Sequence, residues 1–330
     1  MWLTIVIIAQ FINAIVFLCD KYLLGGGRIG KPAVYAFYVG ILGIFALVLI
    51  PFGGLVFPGV NQLLIDLLAG AVYILACLIF YQTLKQNEAS RVVPVVGSFI
   101  AVFTLILSAL FLGEQLTPKF ISAFSLLLVG SILISIRLNI RINAEKVRID
   151  ADNISVNQRS NPRKSASSQC NFLLTVLASF IFSVFYILTK YIYLHQPFIS
   201  GFIWSRFGGV IAALILLTLP AVHRTIFKSP IKILSQGQPS LSWRKSTPVL
   251  FLSNQLMSGI NFILINWAVS LASVALVSAL QGVQYVFIFL ISLFLARYPR
   301  VLTEEISRSI IIQKIIAILL IGIGIFLINR

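Results

Sequence analysis

The chain has 330 residues, 59% of them hydrophobic and only 10% charged, and a mean hydropathy of +1.02. A water-soluble core of that length could not hide so much apolar surface, so the soluble classes are excluded. The formal net charge of +16 would point to nucleic acid in a soluble chain, but here Lys and Arg flank apolar blocks, as they do in loops retained in the cytoplasm, and no nucleic-acid partner is expected.

Met1 is followed at once by WLTIVIIAQFINAIVFL, with no basic stretch before it and no A-x-A-like site near Gly25–Gly27. This reads as a retained first helix and not as a cleaved signal peptide. A hydrocarbon core of about 30 Å takes roughly 20 apolar residues per crossing. That length predicts an all-α polytopic membrane protein with ten transmembrane spans. They lie near 2–19, 33–51, 63–82, 92–112, 119–136, 171–191, 200–220, 249–267, 273–295 and 310–328. Asp20-Lys21 closes span 1 and marks where that helix leaves the membrane. Asp66, near the start of span 3, and Glu114, at the end of span 4, read as solvated helix-end charges.

Polar residues inside spans are costly and are candidates for function, although many only join helices together. Span 1 carries Asn13. Span 4 carries a stripe of small residues that includes Ser98 and Ser108. Arg206 lies about two turns into span 7, among apolar and small residues. It suits bidentate capture of a carboxylate or phosphate, or snorkelling to the interface. Span 8 places Asn254, Ser258 and Asn261 on one face, with Gln255 beside them. Span 9 does the same with Ser278, Gln281 and Tyr285, with Gln284 adjacent. These faces read as the lining of a substrate cavity; the alternative is hydrogen bonding between helices.

Residues 137–170 are basic and rich in Asn and Ser, and read as a flexible linker between two five-helix halves, 1–136 and 171–330. Residues 223–248 form a second long polar connector. A shift of 169 residues aligns FINAIVFLCDKY (11–22) with FIFSVFYILTKY (180–191), pairing Lys21 with Lys190 and Tyr22 with Tyr191. Without a gap it then pairs Gly40 with Gly209 and Pro51 with Pro220. A shift of 183 residues pairs Ser98 with Gln281. These matches predict an internal duplication.

Basic residues follow spans 1 and 3 in the first half but spans 7 and 9 in the second. A duplicate with an odd number of helices inserts upside down, so the halves are expected to be inverted repeats. The odd-numbered connectors then face the cytoplasm.

EASRVVPVVGSFIAVFTLILSALFLGEQLTPKFISAFSLLLVGSILIS (88–135) carries Pro94, a small-residue helix, Gly113-Glu114, Leu116-Thr117 and Gly130. The stretch resembles the EamA-like branch of the drug/metabolite transporter superfamily. The resemblance implies an inverted-repeat carrier with a central cavity and alternating access, in which helices one to four of each half line the cavity. The position equivalent to Glu114 in the second half is Arg297, so only one half carries the motif. Related small multidrug-resistance proteins carry a coupling carboxylate two turns before the lysine that ends their first helix. The corresponding positions here are Asn13 and Phe182, which cannot titrate.

His195 and His223 lie in connectors, and the three cysteines show no metal-ligand spacing, so no enzyme activity, cofactor or metal is expected. The expected function is a secondary transporter in the cell (plasma or inner) membrane for a small polar metabolite such as an amino acid. The lipid bilayer is its other partner, and pairing as a homodimer is left open. A flippase for a lipid-linked sugar and a non-transporting scaffold are the alternatives. A scaffold predicts Asn254, Asn261 and Gln281 bonded to one another.

Overall fold

A computed structural model of the chain describes residues 1–25, 32–86, 89–114, 117–135, 162–220, 222–223, 243–295 and 308–329. The described residues are helical, without strands. In chain order they form α1 (Trp2–Gly25), α2 (Pro32–Ile41), a 3-10 stretch (Leu42–Leu49), α3 (Ile50–Gly53), α4 (Val60–Gln86), α5 (Ala89–Phe111) and α6 (Pro118–Ser135). They continue with α7 (Pro162–His195), α8 (Phe198–Thr218), α9 (Trp243–Leu271), α10 (Val274–Ala279), α11 (Gly282–Leu295) and α12 (Arg308–Asn329). The basic connector 224–242 and most of the linker lie outside the described residues, but α7 begins at Pro162, inside the stretch read as linker.

Among the described residues seven helical segments are long and apolar enough to cross a membrane, and Val95–Phe111, Pro118–Leu133 and Ile312–Ile328 are shorter apolar helices. Large apolar side chains such as Phe52, Leu110, Phe111, Ile215 and Leu256 are exposed, as lipid-facing residues are. The chain is a multi-pass membrane protein.

Two predicted spans are broken. In span 2 the 3-10 stretch hands over to α3 at Pro51, which has no N–H to give the Leu47 carbonyl; the Ile50 N–H takes that carbonyl instead. Gly54, at φ +70°, then ends the helix. Span 9 divides at Leu280-Gln281, where Gln281, Val283 and Gln284 donate their N–H groups three residues back.

The helices cross between two ends. Trp2 and Glu114 line one cavity at the first end, whereas Asp20 lies about 27 Å further along α1, at the opposite end. α1 packs along α9 and α11, α7 packs along α4 and α5, α2 crosses α8, and α6 runs with α12. At the α4–α8 crossing the backbones touch: a Cβ on Gly70 would overlap the Ser205 carbonyl oxygen, and one on Gly208 the Leu67 carbonyl oxygen. The backbones of α2 and α9 scarcely approach, and these two helices meet through side chains.

Candidate functional site

Several polar residues expected at the centre meet partners on distant helices, in two cases across the two halves of the chain. Asn13 of α1 donates from Nδ2 to Gln284 Oε1 at 2.9 Å. The break before α11 turns Gln281 toward α7, where its Nε2 donates to the Tyr186 hydroxyl at 3.2 Å. Tyr285 donates to the Val93 carbonyl of α5 at 2.9 Å, and its ring reaches that far because Gly97 has no side chain to block it. Ser98 lies half-buried one residue further on, and Ser258 is half-buried on α9. Ser278 and Ser108 bond backward to their own helices, at 2.8 and 3.0 Å, so their hydroxyls serve the backbone.

Arg206 projects from α8 into aromatic rings. Its guanidinium carbon stands 3.5 Å from the Phe262 ring centroid, 4.8 Å from Tyr73 and 5.5 Å from Phe202. Tyr73 in turn packs at 4.9 Å on both Phe185 and Phe262. Among the described residues no carboxylate lies within ion-pair distance of the guanidinium; the titratable groups near it are the neutral Tyr73 and Tyr193 hydroxyls, Tyr73 within hydrogen-bond reach, and the Cys77 thiol. Its Nε is buried and has no hydrogen-bond partner among the described residues. Aromatic faces are a favourable but incomplete replacement for water around a cation. The Asn261 side-chain oxygen, one residue before Phe262, is likewise buried without a partner.

Three acids correct the expectation of solvated helix ends. Asp66 is fully buried, and its two oxygens accept from Gln62 Nε2 at 3.0 Å and Gln196 Nε2 at 2.7 Å. Glu114 is half-buried, accepts from the Ser273 hydroxyl at 2.6 Å and meets the Val274 N–H at 3.4 Å, capping α10. Gly113, at φ +61°, turns the chain to put it there. Beside it lies a cavity of about 300 Å³ lined by Trp2, Thr117, Phe120, Ser273 and Leu276. Asp20 does not simply mark the exit of α1. Its Oδ1 accepts from the Tyr35 hydroxyl at 2.8 Å and from Asn254 Nδ2 at 2.7 Å. Asn254 is therefore committed to a carboxylate, and its sequence neighbour Gln255 donates to Tyr35 at 3.0 Å.

Lys190 is buried as well. Its ammonium donates to the Ala272 carbonyl at 2.8 Å and the Val269 carbonyl at 3.0 Å, closing the C-terminal end of α9 where the helix dipole is negative. The break between α9 and α10 is thus held from both sides, by the Lys190 ammonium on the last carbonyls and the Glu114 carboxyl on the Ser273 hydroxyl and the Val274 N–H.

Residues 1–136 match the model of the EamA-like transporter family. A solved crystal structure of a protein 15% identical in sequence covers 98% of this chain and 95% of its own, with a TM-score of 0.59, which shows a shared fold. No curated protein matches the chain.

Proposed function

We propose, from the match of residues 1–136 to the EamA-like transporter family, that the whole chain is a secondary carrier of the drug/metabolite transporter superfamily working by alternating access. Its substrate is a small polar metabolite that bears a carboxylate, such as an amino acid. Arg206 carries this reading. A half-buried arginine with a buried, unpartnered Nε, aromatic faces around its guanidinium and no acidic partner among the described residues calls for an anion from outside the chain. Asn13, Ser98, Ser258, Asn261, Gln281, Gln284 and Tyr285 complete the proposed lining, supplying amides and hydroxyls for the rest of the substrate. The scaffold alternative loses support, because Asn254 bonds Asp20, Gln281 bonds Tyr186 and the Asn261 oxygen bonds nothing among the described residues.

The architecture proposed is two inverted five-helix repeats, 1–136 and 171–330, joined by the linker 137–170. Two features support it. The first helix of each half packs on the third and fourth crossings of the other, while second meets second and fifth meets fifth. The closing contacts also differ at the two ends. At the Trp2 end α4 and α8 are sealed by touching backbones, whereas at the Asp20 end α2 and α9 are bridged by side chains. Alternation would exchange these arrangements. The basic residues that follow spans 1, 3, 7 and 9 support a cytoplasmic Asp20 end, in a plasma or inner membrane. Counterflow in proteoliposomes, comparing the wild type with Arg206→Ala and Gln281→Ala, tests the assignment; transport unchanged in both would remove these residues from the site.

A further inference from the structure

Asp20 is the last residue of the membrane-crossing segment Trp2–Asp20, and its half-buried carboxyl joins three helices from both halves of the chain. Both donors, Tyr35 Oη and Asn254 Nδ2, address the same oxygen, Oδ1. Among the described residues no donor addresses Oδ2 and no cation stands within ion-pair distance. One partner is also incomplete: the Asn254 side-chain oxygen is buried with no hydrogen-bond partner among the described residues. An orphaned acceptor beside a carboxyl suits the carboxyl's other protonation state.

We propose that Asp20 is a proton-binding site, whose carboxyl takes up and releases one proton as the contact between α1, α2 and α9 changes. As a carboxylate it accepts from Tyr35 and Asn254, the arrangement observed. With a proton on Oδ2 it also becomes a donor: Oδ1 stays a carbonyl that accepts from Tyr35 and from Asn254 Nδ2, and the orphaned oxygen of the same amide is the acceptor for the new O–H, which closes an acid–amide pair. The same side chains thus serve both states, but the protonated one adds a second hydrogen bond across the α1–α9 contact, which makes the cluster a two-state element. Its position gives the change an effect. Tyr35 packs on Tyr81 at 4.5 Å and on Phe251 at 6.0 Å, so the side chains that respond to Asp20 are those bridging α2 and α9, where the backbones scarcely meet.

The titratable groups facing Asp20 are few. α2 presents Tyr35, α4 presents Tyr81 with Cys77 beyond it, and α1 itself adds Cys19. α9 presents the amides of Asn254 and Gln255. α11 meets α1 at Asn13 and Phe11, about two turns or more away. Lys21 follows in the chain, and its side chain lies outside the described residues.

The proton site concerns the same carrier but can fail without it, and its test needs no substrate. The purified full chain in liposomes is followed by infrared difference spectroscopy while the pH is stepped. A carboxylic-acid carbonyl band is expected to appear on acidification, to vanish in Asp20→Asn and to persist in Asp66→Asn and Glu114→Gln. In Tyr35→Phe the band should move to higher frequency, because the carbonyl loses a hydrogen-bond donor. If Asp20→Asn does not fold, that frequency shift decides alone. A band unchanged in Asp20→Asn and in Tyr35→Phe overturns the proposal, as does one that responds to sodium at constant pH. An Asp20 band in a protein that moves no substrate would sink the carrier reading and leave the proton site standing.

Discussion

Gly40 and Gly209 are partners in the proposed duplication, yet their surroundings predict opposite responses to alanine. A Cβ on Gly40 would lie 2.6 Å from the Ala213 Cβ, 2.9 Å from the Gly209 carbonyl oxygen and 3.1 Å from Ile74 Cδ1. Carbon atoms pack at about 3.5–4.0 Å, so Gly40→Ala forces α2 away from α8 by about 1 Å, or displaces the α8 backbone. Overpacking of that kind costs about 1–3 kcal/mol. A Cβ on Gly209 would meet Ile74 Cγ1 at 3.6 Å and the Gly70 carbonyl at 3.7 Å, which is ordinary contact. Gly209→Ala then gains the helical preference of alanine over glycine, about 0.5–1 kcal/mol. Thermal unfolding of both variants in detergent, with the wild type alongside, checks the signs: Gly40→Ala should melt below the wild type and Gly209→Ala at or above it. Equal destabilisation by the two would refute the packing argument.

Glu114→Ala removes the cap on α10 and should cost about 1 kcal/mol, seen as faster amide exchange at Val274 and the residues after it, while Glu114→Gln, which keeps an acceptor oxygen, should cost less. Lys190→Met keeps the apolar stem but leaves the Val269 and Ala272 carbonyls without their donor, so denaturant unfolding should show a loss of about 1–3 kcal/mol. Arg206→Lys keeps the charge but loses the planar stack on Phe262, and Phe262→Leu loses the ring. With about 0.5–2 kcal/mol in such a contact, the half-saturating substrate concentration should rise about 2- to 30-fold in Phe262→Leu.

Much of the fold was legible because hydropathy reports position along the membrane normal. It placed the apolar segments, including Val95–Phe111, Pro118–Leu133 and Ile312–Ile328, within a few residues. It could not show the interruptions at Leu42–Leu49 and at Leu280-Gln281, since a change of helical pitch leaves composition untouched. The polar faces of spans 8 and 9 did turn toward other helices, as period and polarity implied. Their partners were not legible, because Asn254 meets Asp20 and Gln281 meets Tyr186 across long stretches of chain. The same limit explains Asp20, Asp66 and Lys190. Each sits near a helix end, where a charge is ordinarily hydrated, and only the tertiary partners reveal that it is held inside. One signal was available for Asp20: Tyr35 and the Asn254-Gln255 pair stand at matching depth in spans 2 and 8.

In the proposed carrier, a carboxylate-bearing metabolite moves past Arg206. Counterflow measures this most directly. Proteoliposomes preloaded with unlabelled compound are offered the same compound labelled outside, across a panel of amino acids and other small carboxylates. Transient accumulation of at least one of them is expected, falling to the protein-free background in Arg206→Ala while that variant stays folded. Wild-type liposomes indistinguishable from protein-free ones across the panel, or accumulation that survives Arg206→Ala undiminished, would contradict it.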